Sequence, residues 1–360
     1  MRPGDDDPVA IATLRQHLEP TPTAPPSGKP ARPPMIQASG LWKEYARRRG
    51  KPPKRVIRGV NLTVGTGRVH CMMGLSGAGK STLVGMLAGL LTPSRGSVSF
   101  QSQPATSETL RQNVALALGV DGGFYGRIPL HENLEFFGAL IGIPRARLHA
   151  RAHEVLGLVG LERAAAAEYR TLSTGQRRQA HLARALMVHR PFLIADEPTR
   201  GLDPATEQHI VDLLYSIKKS GQTMLVVTHD VHLASGLADW VSVLDAGQIL
   251  KSAAPADLLH LLTSTRIYIR FHRDPARCVE RLRRLPSLTE LHVHENEVHA
   301  YTQDPEHDLN AVIRIVVEEG LQIAHIEVPE PGLEEVFLKV IAERKHHEQE
   351  RRLAAAVPAI

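Results

Sequence analysis

The pattern of apolar and polar positions predicts alternating strands and helices over most of the chain. Short apolar runs over residues 68–73 and 191–195 are typical of strands buried inside a parallel sheet. Helical patterns occupy residues 81–91, where we expect the helix to stop before Pro93, and the amphipathic stretch 177–186. This arrangement predicts an α/β fold with a mostly parallel core sheet.

A different pattern begins at about Ser264, where apolar and polar residues alternate in short strands. In chain order we expect a strand at 267–271, a helix at 278–285, a hairpin of strands 288–293 and 297–301 around Asn296, a helix at 309–320 and a strand at 322–328. This β-α-β-β-α-β order predicts a small ferredoxin-like α+β domain.

A glycine-rich turn separates the strand at 68–73 from the helix that follows it. The turn consists of Gly74, Leu75, Ser76, Gly77, Ala78, Gly79, Lys80 and Ser81, with Thr82 after it. This spacing is typical of phosphate-binding loops, in which backbone N–H groups surround phosphate oxygens. Lys80 would then reach the β- and γ-phosphates, and the Ser81 hydroxyl would ligate Mg²⁺. A purely structural glycine turn is the weaker interpretation, because Lys80 and Ser81 both stand where the motif requires them.

Two adjacent carboxylates, Asp196 and Glu197, end the second buried run. The carboxyl edge of a parallel sheet is where α/β proteins bind their ligands. Because neighbouring residues of a strand point in opposite directions, we expect the two acids to have different roles. Asp196 suits the Mg²⁺ shell, and Glu197 suits activation of an attacking water as general base. The alternative is a solvated strand end with incidental acids.

A helix start is predicted within the segment Leu-Ser-Thr-Gly-Gln at 172–176. Ser173 and Gln176 have the spacing of a capping box, which leaves free N–H groups at the helix start that can bind a γ-phosphate. Taken alone, the segment is more simply a helix cap. The phosphate interpretation gains weight because this helix leads through Pro191 into the strand that ends in the two carboxylates.

Together, and in this order, these motifs resemble those of the ATP-binding subunit of an ATP-binding cassette (ABC) transporter, over about residues 36–255. The matching segments are the Walker A loop at 74–81, the signature motif at 172–176 with Thr174 in place of the usual Gly, Walker B at 194–197, the D-loop at 201–204 and the switch-histidine loop at 227–230. Each segment is weak alone, whereas the ordered set is specific. The resemblance implies a P-loop NTPase fold with a helical signature subdomain at about 129–172.

The resemblance also implies an ATP site and the roles of its residues. Lys80, Glu197 and His229 would be catalytic, with Mg²⁺ held by Ser81 and Asp196. The nucleotide would be bound by Tyr45, which stacks on adenine, by loop residues 74–82, and by Ser173, Gly175, Gln176 and Asp203. In this family the helix start at 173–175 reaches the γ-phosphate from a second, head-to-tail subunit, so that the site is complete only in a closed dimer.

The function implied is that of an ATP-hydrolysing subunit that energises a membrane transporter, an exporter by its resemblance at 132–140 and 329–338. Its expected partners are a transmembrane permease and a second nucleotide-binding subunit, either this chain again or a different one, at the cytoplasmic face of the membrane. A soluble ABC ATPase acting on ribosomes or DNA is the alternative, but such proteins usually show two fused cassettes or a long coiled-coil insertion. A non-hydrolysing scaffold is disfavoured because the catalytic residues are all present.

One position departs from the family pattern. Val120 stands where the family usually has a Gln that senses Mg²⁺ and nucleotide and contacts the membrane partner. The surrounding segment 119–125 resembles a subset of exporter-type subunits that also lack this Gln. Our hypothesis is that Asp121 supplies an oxygen to the Mg²⁺ shell instead, because hard cations accept carboxylates readily.

Composition narrows the picture further. The net charge is +5, but its densest basic run, residues 47–55, has no aromatic platform, so a solvated loop is favoured over contact with anionic lipid or RNA and no nucleic-acid partner is expected. No apolar run is long enough to cross a bilayer, and no secretory signal is visible. The two cysteines, Cys71 and Cys278, fit a reducing compartment.

These patterns predict four regions. Residues 1–35, rich in Pro, should be disordered, 36–260 should form the cassette, 264–342 the accessory domain and 343–360 a charged tail. Within the accessory domain, His292, His294 and His299 suggest a metal cluster, but we expect the hairpin to spread them over both faces of the sheet, so exposed strand histidines are the favoured interpretation.

Overall fold

A computed structural model of the chain describes residues 33–46, 52–118, 123–260, 262, 265–329 and 332–356. The predictions for Val120, Asp121, most of the amino-terminal region and part of the basic run at 47–55 lie outside these residues. The chain divides into two compact units, Met1–Ala254 and Pro255–Ile360. Each unit is described by itself.

Besides two short 3-10 helices at Glu162–Ala164 and Tyr169–Thr171, the described residues of the first unit form ten strands and seven α-helices. In chain order these are β1 (Ile36–Tyr45), β2 (Lys54–Val64), β3 (Val69–Met73), α1 (Lys80–Leu87), β4 (Arg95–Phe100), β5 (Gln103–Pro104), α2 (Ser107–Asn113), β6 (Val114–Ala117), α3 (Leu130–Leu140), α4 (Arg145–Leu158), α5 (Thr174–Leu186), β7 (Phe192–Asp196), α6 (Pro204–Lys219), β8 (Thr223–Val227), α7 (Val231–Leu237), β9 (Trp240–Asp245) and β10 (Gln248–Ala253).

The core of this unit is a six-stranded sheet in the order β10-β9-β3-β8-β7-β6. All neighbouring pairs are parallel except β10 with β9, which confirms the mostly parallel sheet. Every residue of β3, β7 and β8 is buried, as expected for strands covered on both faces. A second, antiparallel sheet has the order β2-β1-β4-β5, and α1 packs against residues of both sheets in one hydrophobic core. Cys71 is a buried free thiol within β3.

Helix α1 ends at Leu87, earlier than the pattern at 81–91 predicts. Gly89 has a φ of +71°, a left-handed conformation that glycine adopts without strain. The Gly89 N–H donates to the Met86 carbonyl, and the Leu90 N–H donates to the Gly85 carbonyl at 2.8 Å. This pair of hydrogen bonds is a Schellman cap, so the apolar residues at 90 and 91 lie in a turn that follows the helix.

Helices α3 and α4 form the helical insertion that the sequence predicts before the signature segment. A buried side chain, Asn133, fastens the segment leading into α3. Its Oδ1 accepts from the Tyr125 N–H at 2.8 Å, and its Nδ2 donates to the carbonyls of Tyr125 and Ile128 at 3.0 and 2.9 Å. Because both polar atoms of Asn133 are satisfied, its burial costs little, and it fixes where α3 begins.

The second unit begins with α8 (Pro255–Leu259), so its start falls within the expected cassette range of 36–260. It continues with β11 (Thr265–Phe271), α9 (Ala276–Leu282), β12 (Leu288–His294), β13 (Glu297–Thr302), α10 (Pro305–Glu318), β14 (Ile323–Glu327) and α11 (Leu333–Ala356). The antiparallel sheet order β12-β13-β11-β14 fits the predicted ferredoxin-like arrangement. Helix α11 runs without interruption through the division expected at residue 342.

The three histidines of the β12–β13 hairpin lie on one face of its sheet. His292 pairs with His299 across the hairpin, and His294 pairs with Glu297. Paired residues share a face, and residues two apart on a strand share a face as well. The expectation that alternation separates these side chains was therefore wrong.

Candidate functional site

The glycine-rich loop between β3 and α1 requires glycine for two different reasons. A Cβ on Gly74 would lie 2.3 Å from the carbonyl oxygen of Leu244, so only a hydrogen fits there. Gly77 and Gly79 have φ angles of +81° and +107°, which other residues rarely adopt. Gly79 precedes α1 without a side-chain cap, so the first N–H groups of this helix are left for a ligand.

Lys80 closes the two ends of this loop. Its Nζ donates to the Gly74 carbonyl oxygen at 2.6 Å and to the Leu75 carbonyl oxygen at 3.3 Å. A positive charge is thereby held at the amino end of α1, where the helix dipole also favours an anion. The loop is consequently arranged to receive phosphate groups.

The turn between β9 and β10 supports the back of the loop, a feature that the sequence analysis missed. The Gly247 N–H donates to the Ala78 carbonyl oxygen at 2.8 Å, and a Cβ on Gly247 would lie 2.1 Å from the Val56 carbonyl oxygen. The signal for this turn was the dipeptide Ala246-Gly247, whose φ angles are +39° and +80°. Its distance in sequence from the loop hid the contact.

Asp196 ends β7 and is mostly buried, with 8% of its surface exposed. Burial, together with the neighbouring charge of Glu197, raises the pKa of its carboxyl group to about 6, although the positive charge of Lys80 opposes the rise. The structure thus brings Asp196 to the same place as the loop lysine. An additional cation there would favour the carboxylate form.

Glu197 lies just beyond the strand, in a conformation that the sequence does not predict. Its φ is +51°, which is uncommon for a residue with a side chain, and its N–H donates to the Val227 carbonyl oxygen at 2.8 Å. Because β7 ends at Asp196 and Glu197 has a left-handed backbone conformation, strand alternation does not determine the direction of the Glu197 side chain. Its Oε2 lies 2.6 Å from Nδ1 of His229.

His229 follows β8 in a segment that short hydrogen bonds hold in place. The Asp230 N–H donates to Thr228 Oγ1 at 2.9 Å, and the Asp230 side chain accepts from the Leu233 N–H to cap α7. A carboxylate only accepts, so Nδ1 of the ring donates to Glu197, and Nε2 can donate to an anion when it also carries a proton. The ring is exposed enough for a ligand to reach it.

The signature segment forms the capping box that the sequence predicts. Gln176 N–H donates to Ser173 Oγ at 3.2 Å, and Ser173 N–H donates to Gln176 Oε1 at 3.0 Å. A Cβ on Gly175 would lie 3.2 Å from a methyl group of Leu202, so the start of α5 packs against the D-loop of the same chain. Asp203 caps α6, and Thr206 hydrogen bonds hold the pKa of Asp203 below its ordinary value.

A cleft of about 500 Å³ lies between the start of α5 and the D-loop; Ser173, Gly175, Gln176 and Asp203 are among its lining residues. Lys80, Asp196, Glu197 and His229 form a separate group at the carboxyl edge of the parallel sheet. Tyr45 is the last residue of β1, in the antiparallel sheet, with Lys43 Nζ 5.4 Å from its ring centre. Tyr45 pairs with Lys54 of β2, and the Val56 carbonyl oxygen further along that strand would lie 3.1 Å from a Cβ on Gly79, so β2 links Tyr45 to the glycine-rich loop.

A glycine-rich loop at a helix start, a lysine across it and two carboxylates at the end of a buried parallel strand define a P-loop nucleotide hydrolase. A family model described as ABC transporter matches residues 57–200, and a model of the C-terminal domain of DrrA1-3-like ATP-binding proteins matches residues 254–341.

Individual relatives agree with these family models. The chain is 31% identical to the daunorubicin/doxorubicin resistance ATP-binding protein DrrA of Streptomyces peucetius, over 84% of this chain and 91% of that protein. It is 30% identical to the Nod factor export ATP-binding protein I of Rhizobium sp. (strain N33), over 85% of this chain and 96% of that protein. A solved dimeric ATP-binding cassette with ADP and phosphate is similar with a TM-score of 0.57 and 26% identity, covering 61% of this chain and 98% of that one.

The chain belongs to the family of ABC transporter ATP-binding proteins. It is accordingly an ATPase coupled to transport, of a kind that dimerises and works with transmembrane permeases. Along the parts of the chain that the structure describes, no helix combines the length and apolar character that crossing a membrane requires.

Proposed function

We propose that this chain energises an exporter by closing on ATP as a head-to-tail dimer and reopening after hydrolysis. The observation that carries the proposal is the 2.6 Å contact between Glu197 and His229, beside the strand end that bears Asp196. This contact places a candidate base, Glu197, and an imidazole, His229, at the same edge of the sheet as the phosphate-binding loop of Lys80. Such a group suits attack of water on a terminal phosphate.

Mg²⁺ is the proposed cofactor, and two residues of this chain fit it. The Ser81 hydroxyl and the Asp196 carboxylate are hard oxygen donors, which this ion prefers. Burial raises the pKa of Asp196, so a cation beside it would favour the carboxylate form. When bound, the ion neutralises charge on the β- and γ-phosphates.

Each ATP site in the proposed dimer is formed by residues of both subunits. Glu197 takes the proton of the attacking water, and His229 contacts the γ-phosphate with the nitrogen that does not face Glu197. The Ser173–Gly175 helix start of the second subunit supplies N–H groups to the same phosphate. Tyr45 holds the adenine, and Asp203 lies at the interface between the subunits.

Export is the proposed direction, and a permease is the proposed partner at the cytoplasmic face of the membrane. Both relatives are named for resistance or export, which favours a transporter over a soluble ATPase of ribosomes or DNA. Exposed apolar side chains near the start of the helical subdomain, Tyr125, Phe136 and Leu140, suit contact with such a partner. The hypothesis that Asp121 contributes to the Mg²⁺ shell stands beside this proposal, and unchanged Mg²⁺ dependence in Asp121→Ala would end it.

The test uses Glu197→Gln, which should bind ATP and dimerise without turning over. We expect size-exclusion chromatography with ATP to show a dimer, and hydrolysis to be nearly abolished. Glu197→Gln with Lys80→Ala is the matched control, because loss of the loop lysine removes phosphate binding and hence the dimer. Normal turnover in Glu197→Gln would exclude the assigned base.

The partner is tested with the same variant. A pull-down of tagged Glu197→Gln with ATP from detergent-solubilised membranes should recover a polytopic membrane protein in stoichiometric amount, and its identity would also narrow the cargo. Ribosomal or DNA-associated partners without a membrane protein would favour the soluble class instead.

A further inference from the structure

Three histidine rings and a carboxylate converge between α3 and α4, outside the ATP site. His131 and Glu135 lie one turn apart on α3, and His149 and His153 lie one turn apart on α4. The ring centre of His131 is 5.9 Å from that of His149 and 5.6 Å from that of His153, and the latter two are 4.5 Å apart. Pairs at this helical spacing present both side chains on one face.

Two of these rings already have one nitrogen engaged. Nδ1 of His131 lies 2.8 Å from the Ala165 carbonyl oxygen, and Nδ1 of His149 lies 2.8 Å from Glu135 Oε1. Both oxygens only accept, so each Nδ1 donates and each neutral ring keeps its lone pair on Nε2. Metal-binding histidines have this arrangement, in which a carbonyl or carboxylate holds the far N–H and sets the tautomer.

The spacing of the rings also suits a shared ion. A circle through the three ring centres has a radius of about 3.1 Å, and an ion bonded to an imidazole nitrogen at roughly 2.0–2.1 Å lies about 3.2 Å from the centre of that ring. We propose that His131, His149 and His153 bind a divalent transition-metal ion of the zinc type, with Glu135 orienting His149. Imidazole is a preferred ligand of such ions.

Binding requires the rings to turn. In the described ranges, no group of three or more His, Cys, Asp or Glu side chains is arranged to hold a metal ion as it stands. His131 keeps its hydrogen bond to the Ala165 carbonyl, so the movement falls on the other two rings. The terminal torsion of a histidine has broad minima, and the side chain of His149, which is 70% exposed, can turn together with its partner Glu135. The ion therefore selects ring orientations that α3 and α4 already permit.

The hairpin histidines of the second unit are the rival site, and their surroundings suit a cation less well. Burial lowers the pKa of His299, and the positive charge of Arg266 lowers it further. That same charge repels a metal ion. The negative charge of Glu297 opposes this effect, but that carboxylate accepts from the Tyr268 hydroxyl at 2.8 Å. Between α3 and α4, Glu135 lies at hydrogen-bonding distance from His149 itself.

The test measures Zn²⁺ binding to the full chain, stripped of metal and freed of any histidine tag, by isothermal titration calorimetry. We expect one ion per chain and at least a tenfold loss of affinity in His149→Asn/His153→Asn. The matched control, His292→Asn/His294→Asn, should bind as the natural chain does. Glu135→Gln should weaken binding roughly tenfold or more, as removal of an orienting partner does.

Two further measurements keep the result decisive. The metal-free variants should unfold at the same temperature as the natural chain, since the altered rings are exposed. Co²⁺ bound to the natural chain should give the visible absorption of a tetrahedral nitrogen-ligated site, and this does not depend on any variant. The proposal would be overturned if the natural chain bound no Zn²⁺. It would also be overturned if His292→Asn/His294→Asn lost binding while His149→Asn/His153→Asn kept it.

Discussion

Glu197 and His229 join two neighbouring strands of the parallel sheet at its ligand-binding edge. Their side chains are 14% and 60% exposed, so a largely buried carboxylate holds a largely exposed ring. A second link, from the Glu197 N–H to the Val227 carbonyl oxygen, fixes the backbone of the same pair of strands. We infer that Glu197 sets the orientation of the ring, which leaves Nε2 directed away from it for a phosphate.

Replacing this ring should separate nucleotide binding from hydrolysis. We expect His229→Gln to lower kcat for ATP by roughly 100-fold or more, the usual effect of removing one preorganised donor. ATP affinity should change little, because the loop and Lys80 remain. Steady-state kinetics with equilibrium binding of ATP provide the check, and exposed His232→Gln on the next helix is the matched control. An unchanged kcat would show that the ring is not used.

The cap of α5 should matter for activity more than for stability. Ser173→Ala removes the hydrogen bond to the Gln176 N–H and should cost about 1 kcal/mol of stability. Thr106→Ala removes a cap of the same kind from α2, at the Thr109 N–H, and should cost a similar amount. We expect only Ser173→Ala to reduce ATP hydrolysis. Turnover measures the activity of the two variants, and urea unfolding measures their stability. Equal ATP hydrolysis by both variants would show that Ser173 acts only as a structural cap.

Two loop glycines should tolerate a methyl group differently. Gly74→Ala places a Cβ against the Leu244 carbonyl oxygen and forces the backbone apart, with an expected loss of 1–3 kcal/mol, about the usual cost of overpacking. A Cβ on Gly77 meets no heavy atom within 4 Å, so Gly77→Ala should cost only the strain of its left-handed φ, about 1 kcal/mol. Free energies of unfolding in urea test the order. Gly77→Ala proving the more harmful would contradict the assignment of Leu244 as the wall of the loop.

The sequence predicts those parts of the site whose chemistry is local. The loop at 74–81 and the capping box of Ser173 and Gln176 each depend on residues a few positions apart, so spacing alone identifies them. The β-α-β-β-α-β order of the second unit is likewise legible, because its hydrophobic periods change clearly between strands and helices.

What the sequence does not predict depends on distant contacts or on a single backbone angle. The hydrogen bond between Gly247 and Ala78 joins segments that are far apart in the chain. The left-handed turn at Glu197 contains no glycine at that position from which it could be predicted. Gly89 indicates the early end of α1, but the apolar residues that follow it continue the helical pattern and so favour a longer helix. The meeting of His131 with His149 and His153 requires knowing how α3 packs on α4.

Buried His70 should make the protein sensitive to mild acid. Burial lowers its pKa to about 4 from 6.5, and its Nε2 is 2.8 Å from Ser242 Oγ. The unfolded chain therefore binds more protons between these values, and stability is lost as pH falls through that window, by up to roughly 3 kcal/mol. His70→Gln should unfold with a weaker pH dependence between pH 6.5 and 4. An unchanged slope, measured by thermal unfolding across that range, would show that another group is responsible.

Asp196 should have the opposite effect. Its folded pKa of about 6 lies above the ordinary 3.8, so the folded chain binds more protons between these values and loses stability as pH rises through them. At pH 7 without Mg²⁺ and ATP, Asp196→Asn should be more stable than the natural chain by up to about 3 kcal/mol, and the difference should vanish near pH 4. The exposed carboxylate variant Asp212→Asn should show neither effect.

The Asp196→Asn variant also tests whether Asp196 binds Mg²⁺. Adding Mg²⁺ and ATP should stabilise the natural chain by mass action, since the ligands bind only the folded state. Asp196→Asn should gain less stability from these ligands. The difference between the melting temperatures of the variant and the natural chain should therefore become smaller or change sign. Calorimetry with and without Mg²⁺ and ATP measures both effects in one series. A variant less stable than the natural chain without ligands would mean that the Asp196 side chain stabilises the fold itself.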